Sequence, residues 1–480
     1  MNSRRRWVVV VGLMLAFALV VGACGDDDAG TTTTAAPATT EAPTTTAEAP
    51  TTTTEAPVTT EPAPEIILGP GVTLEPCPGS TNPENGCIYL GVISDFTGPF
   101  AGFGVPLTWG KEDFWGRINA DGGLNGFDIA ITPENTVDAG YVAEKHVEGY
   151  LRIRENVAAL AESLGTLQTL AAIPLMAEDG MVSPVSAWYS GFSFDSFDQG
   201  LILEAGTNYC MEAMNGFDFV MQARSTMEEG IPFTYGIIAF PGDYGGDYAA
   251  GVKIAAQAYN LGDPVVEHVQ LPISVGGTLD EAVGKLVAAK PDVIFVVTGP
   301  SELGQLMGGT FQAGHQTAMY VGVGPSFHPA LLGAEALVPL LQAAFFHTAP
   351  TAAYTADTPG HAAMRAAFEA NRAGATPDLG YVAGWTMSYN MRAVLEQAIA
   401  NGDLSRAGIL AAVQQVTVDY EGMLPPKTFA GDPNDTVERG AVIHRVDPTA
   451  PDGLMILAPF FVGPTAGGYD FTAPCLVLGG

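Results

Sequence analysis

From residue 88 onward, short and continuously apolar runs alternate with longer amphipathic ones. The short runs are rich in β-branched and aromatic residues: IYLGVI (88–93), FDIAI (127–131), GMVSPV (180–185), FTYGIIAF (233–240), VVEHVQL (265–271), DVIFVV (292–297) and MYVGV (319–323). Runs of this length and make-up predict strands. Between them, 108–120, 157–179, 246–260, 279–289 and 301–314 carry helical spacing. Strand–helix–strand alternation predicts an α/β fold with parallel sheets covered by helices on both faces. Ligands of such folds bind at the carboxyl ends of strands, beside helix N-termini. The stretch ISDFTGPFAGFG (93–104), where the first strand runs into a Gly-rich loop, is therefore the first candidate site. The tail reads as a helix over 381–402, a second over 404–416 capped by Ser405, and a closing strand pair at GAVIHRV (440–446) and GLMILAPFFV (453–462).

Composition adds a compartment. Arg4-Arg5-Arg6 precede an apolar stretch, Trp7 to Val21, that is short for a membrane span and fits a signal peptide. It ends in Val21-Gly22-Ala23-Cys24. Small residues before a cysteine resemble a lipobox, which predicts a signal peptide over 1–23, cleavage before Cys24 and lipid on its sulfur. An ordinary secretory signal or an N-terminal anchor stays open as an alternative. Residues 31–64 hold only Thr, Ala, Pro, Glu and one Val. Such a segment lacks the apolar surface to offset its ordering entropy, so 24–64 reads as a lipidated N-terminus followed by a disordered stalk. Four further cysteines in an exported chain suggest two disulfides. Three pairings exist; the short loop CPGSTNPENGC favours Cys77–Cys87 and leaves Cys210–Cys475. The 480 residues suffice for two lobes with cores of their own. The formal charge of −33 makes nucleic acid an unsuitable partner for the body.

No catalytic signature is present. HExxH, GxSxG and GxxxxGK[ST] are absent, the seven histidines have no metal-ligand spacing, and Gly98, Gly102 and Gly104 do not form GxGxxG. The residues speak for a binding protein rather than an enzyme, with no cofactor and no metal.

Several blocks carry a family resemblance: LGVISDFTGPFAGFG with WGKEDFWGRINADGGLNGFDIAI, then AEDGMVSPVSA (177–187), PGDYGGDYAAG (241–251), KPDVIFVVTGPSELGQLM (290–307), GYVAGWTMSYNMRAVLEQA (380–398) and KTFAGDPNDTVERGAVIHRV (427–446). INADGGLNG (118–126) is the most specific. Together they resemble bacterial solute-binding proteins of the leucine/branched-chain amino-acid class. The resemblance implies a type I periplasmic-binding-protein fold: two Rossmann-like parallel-sheet lobes joined by a three-segment hinge, with ligand held in the cleft between them. Lobe 1 is expected over 88–206 plus 319–440, and lobe 2 over 207–318 plus 441–480.

It also implies a site. Phe103 of the opening loop and Tyr244 of GDYGGD match the family's cleft aromatics. Glu302 lies at its acidic position for an ammonium, although a helix start alone predicts an acid there. Val185 falls where a backbone contact is expected. Leu164 and Ala187 stand where the family keeps hydroxyls for a carboxylate, with Gly165, Thr166 and Ser186 adjacent as substitutes if the register slips. Trp188 and Tyr189 either wall the cleft or pack beneath it. The function implied is capture of a small polar solute, an amino acid or related compound, by a monomeric, lipid-anchored protein on the outer face of the cytoplasmic membrane, and delivery to an ABC-type permease. A surface sensor or assembly factor on the same fold is the alternative.

Overall fold

The computed structural model describes residues 66–225 and 233–478. The leader, Cys24 and the stalk, with the expectations placed on them, lie outside the described residues. Among the described residues no helix is long and apolar enough to cross a membrane.

Lobe 1 is built on β1 (Gly86–Ser94), β2 (Phe127–Asp138), β3 (Ala159–Leu164), β4 (Ser183–Ser186) and β5 (Ile202–Leu203). They pair in parallel in the order β2-β1-β3-β4-β5. Helices α1 (Ala101–Ala120), α2 (Ala143–Ile153) and α3 (Thr166–Asp179) make the crossovers. One expectation fails here. Residues 157–179 read as one helical stretch, yet Ala159–Leu164 is a central strand and the helix begins only at Thr166. Every residue of β3 is buried, so it shows no alternation, and its Ala, Leu and Glu content suits a helix equally well.

Lobe 2 repeats the order. Strands β6 (Tyr235–Ala239), β7 (Val266–Val269), β8 (Val293–Val297), β9 (Met319–Gly322) and β10 (Phe345–Ala349) pair in parallel as β7-β6-β8-β9-β10. The antiparallel strands β11 (Ala441–Val446) and β12 (Leu454–Phe461) extend the sheet beyond β10. Helices α4 (Tyr209–Ser225), α5 (Asp243–Ala258), α6 (Asp280–Ala289) and α7 (Pro300–Gln312) belong to it. The expected return to lobe 1 at residue 319 is corrected: β9 and β10 lie in the second sheet, and the chain crosses back only after Ala349. It then forms α8 (Pro359–Asn371), α9 (Leu379–Ala400) and α10 (Arg406–Val413).

Helix α9 packs along α1 at a distance that only glycine permits, because a Cβ at Gly384 would strike the Leu107 backbone. Asp378 caps α9 by accepting from Tyr381 N at 3.0 Å, and Ser405 caps α10 by accepting from Gly408 N at 3.1 Å.

Three crossovers connect the lobes side by side. Gly206, with φ of 80°, presses on Pro350, where a Cβ would come within 2.7 Å of a carbonyl oxygen. Thr207 Oγ1 donates to the Glu438 carbonyl at 3.0 Å. The disulfides are Cys77–Cys87, beside β1, and Cys210–Cys475, which ties the first turn of α4 to the C-terminal segment.

Candidate functional site between the lobes

The carboxyl ends of β1, β3 and β4 face the start of α5 across the lobe boundary. Here the sequence has placed rings. Phe100 and Phe103 stand at the start of α1, Tyr141 follows β2, and Trp188 follows β4. Tyr209 opens α4 and Tyr244 opens α5. These side chains form a continuous circuit. Phe103 meets Trp188 at 6.1 Å between ring centroids, Trp188 meets Tyr209 at 6.1 Å, and Tyr209 meets Tyr244 at 5.3 Å. Tyr244 meets Phe100 at 6.0 Å, and Phe100 meets Tyr141 at 4.6 Å. All but the last of these contacts are close to edge-to-face, the favourable arrangement of ring quadrupoles. The circuit runs from Phe103 at the start of α1 through both lobes, returns to α1 at Phe100 and ends on Tyr141 after β2. The rings touch one another.

Carboxyl groups stand behind the rings. Asp95, at the end of β1, accepts from Gly98 N and, at 2.8 Å, from Phe100 N. It thereby shapes the turn that presents Phe100. Burial raises its pKa against these donors. Asp243 lies at the start of α5 with Thr166, at the start of α3, beside its carboxyl, although the Thr166 hydroxyl closes no well-formed hydrogen bond. Burial pushes Asp243 up to about 6. One turn on, Asp247 accepts from Ser190 N at 2.9 Å and from Ser190 Oγ at 2.6 Å, and burial pushes it up to about 7. Thus Phe100–Tyr244, Thr166–Asp243 and Ser190–Asp247 are three contacts across the boundary. Tyr141, Tyr209 and Tyr244 are all raised, first by burial and then by neighbouring charged groups, so their hydroxyls remain proton donors. Tyr244 Oη donates to the Thr298 carbonyl at 3.1 Å.

The residues expected from the sequence divide. Phe103, Thr166 and Tyr244 come together at the lobe boundary. Gly165 is the left-handed residue before α3, with φ of 98°, and its N–H donates to the Ser186 carbonyl at 3.4 Å. Val185 and Ala187 belong to the apolar cluster of lobe 1 with Ile93, Leu160 and Tyr189. The Ser186 hydroxyl lies 3.6 Å from Met387 Sδ of α9. Glu302 is buried on α7 and accepts from Ile273 N at 2.8 Å, which holds the loop after β7. Trp188 joins the ring circuit, whereas Tyr189 packs on Phe192 and Phe197. Tyr141, Tyr209, Asp95 and Asp243 were missed. Asp95 had a signal, since an Asp three residues before Gly98 is the usual acceptor of a turn. Asp243 lay one position from the Tyr244 that was chosen.

Two cavities lie elsewhere, on either side of Lys427 near the crossovers, with volumes of about 230 and 270 Å³.

Residues 87–452 match the family model described as periplasmic binding protein. Among curated proteins no match is found. Among solved structures, a fatty acid ABC transporter substrate-binding protein from Thermomonospora curvata is 27% identical with a TM-score of 0.73, covering 85% of this chain and 97% of its own. A branched chain amino acid ABC transporter protein from Thermus thermophilus with bound valine is 13% identical, with a TM-score of 0.67 and coverage of 80% and 98%. A solute binding protein from R. palustris in complex with benzoate is 16% identical, with a TM-score of 0.62 and coverage of 80% and 99%.

Proposed function

The chain belongs to the periplasmic binding protein family, and we propose that it captures a small organic solute between its lobes and delivers it to an ABC-type importer. It acts as a monomer outside the cytoplasmic membrane, held there by lipid on Cys24. The observation that carries this reading is the ring circuit drawn from both lobes, because a solute lying against it contacts both at once. Contacts made only when the lobes meet couple binding to closure.

The rings suit a solute with an aliphatic or aromatic body. The names of the Thermomonospora curvata and R. palustris proteins, fatty acid and benzoate, support the same class. Amino acids belong to the proposal through the sequence resemblance, but the local chemistry favours them less. One Glu302 oxygen accepts from Ile273 N, and Leu164 and Ala187, where the family keeps hydroxyls, offer none. Asp243 already stands beside Thr166 at the start of α3, where an amino acid's carboxylate would be expected to bind.

The test is a thermal-shift panel of fatty acids, aromatic acids and aliphatic amino acids on residues 66–480. A ligand at a hundred times its Kd stabilises the folded state by about 2.7 kcal/mol. Members with apolar bodies are expected to raise the Tm, and Trp188→Ala is expected to abolish the rise. A panel without any shift would overturn the solute class.

A further inference from the structure

After β12 the chain turns back through a short helix, Pro464–Gly468, and residues 469–478 leave the sheet. Cys475 is bonded to Cys210, so this strap is covalently fixed to lobe 2. It also binds lobe 1 directly. Tyr189 Oη donates to the Leu476 carbonyl at 2.7 Å, and Leu478 N donates to Tyr189 Oη at 3.4 Å. Cys475 N donates to Ser190 Oγ at 2.9 Å. The Phe471 ring lies 5.0 Å from that of Phe194, and Leu478 packs on the cluster that holds Tyr189 and Phe192. Ser190 is the node of the arrangement. It receives the strap through its hydroxyl oxygen and donates through N and Oγ to Asp247 of α5. Lobe 1, lobe 2 and the strap therefore meet at one buried residue. On the far side, Leu476 lies over Gly246, where a Cβ would come within 2.7 Å of it.

We propose that the C-terminal strap is a latch on the closed form, tethered to lobe 2 by Cys210–Cys475 and engaged on Tyr189 and Ser190 of lobe 1. Its bonds to lobe 1 exist only when the lobes are together. They shift the equilibrium toward closure by the difference they make between the two forms. The disulfide keeps the strap at high local concentration beside its partners, so a few modest bonds suffice. The latch rests on the reading that the lobes open and close. It is read without any solute, which separates its failure from failure of the solute class.

The experiment compares the solute-free full chain with Tyr189→Phe and Cys475→Ser. The two measurements are small-angle scattering and amide hydrogen exchange. Tyr189→Phe keeps the ring and removes only the hydroxyl, so it distinguishes unlatching from misfolding. The expected result is a larger radius of gyration in both variants and about fivefold faster exchange at Ser190 N, the effect of losing about one hydrogen bond. Amides in β6 and β8 keep their protection. An unchanged radius and an unchanged Ser190 amide in Tyr189→Phe would overturn the latch.

Discussion

The two lobes share the strand order 2-1-3-4-5 but pair different polar groups in their interiors. Lobe 1 encloses a cation and an anion. Lys111 of α1 and Glu162 of β3 are both fully buried, and burial lowers the first and raises the second while each charge opposes the other's shift. Thr108 Oγ1 donates to Glu162 at 3.1 Å, whereas Lys111 Nζ has no hydrogen-bond partner among the described residues. Lobe 2 encloses neutral groups instead. His347 and His444 face each other across β10 and β11 with their Nδ1 atoms 3.3 Å apart. His347 Nε2 lies 2.8 Å from the Gly324 carbonyl and must carry the proton there, so His444 supplies the proton between the rings. Its own Nε2 has no partner among the described residues. Both rings are pushed down by burial, His347 to about 4. The lesson is that a shared sheet topology constrains the backbone and leaves the electrostatics of the interior free.

The comparison can be broken first at the cross-links. Cys210–Cys475 closes a loop with a sequence separation of 265, and Cys77–Cys87 one of 10. Chain entropy gives the first about 5.6 kcal/mol and the second about 2.7 kcal/mol. Denaturant unfolding of Cys210→Ser and Cys77→Ser should show losses in that order, and equal losses would contradict it.

The buried pair of lobe 1 comes next. Lys111→Met leaves the Glu162 charge uncompensated, at a cost of about 3–5 kcal/mol. Adding Glu162→Leu should recover most of that loss. A double variant no more stable than Lys111→Met would show that the two groups do not act as a pair.

The histidines of lobe 2 sharpen the contrast through pH. His347 stays neutral in the folded state down to about 4, while the unfolded chain takes up its proton near 6.5. Its contribution is therefore complete above pH 6.5 and is lost as pH falls toward 4, by about 3 kcal/mol. Glu212, pushed up to about 8 by burial, has the opposite sign. It holds a proton in the folded state that the unfolded chain releases, so its term favours folding as pH falls from 8 toward 4.5. Relative to the wild type, His347→Gln should gain stability between pH 7 and pH 4.5, and Glu212→Gln should lose it. Parallel pH profiles in both variants would refute the assignment.

The smallest effect concerns the rings. Tyr244→Phe removes the bond to Thr298 and should cost about 1 kcal/mol with the circuit intact. A much larger loss would mean that the hydroxyl organises the boundary.

Much of this was legible in the chain. Alternation of apolar runs with amphipathic ones was enough for the α/β class, and the blocks around INADGGLNG identified the family. The helical reading of 157–164 failed because a strand buried on both faces carries no period. The lobe boundary at 318 failed because alternation does not say which sheet a strand joins. At the lobe boundary stand Phe103 and Tyr244, which were expected because they match the family's aromatics in their loops. Tyr141 and Tyr209 were not, because their neighbours are fixed by the meeting of two lobes. Glu302 shows the limit of residue type as a guide, since one of its oxygens accepts from a backbone N–H that no sequence pattern marks.

The central claim is that one solute engages both lobes at the ring circuit. Hydrogen–deuterium exchange of the chain, with and without the panel member that gives the largest thermal shift, tests it most directly. The account predicts simultaneous protection of Phe100–Gly104 in lobe 1 and Asp243–Tyr248 in lobe 2. Protection confined to one lobe, or to the cavities around Lys427, would contradict it.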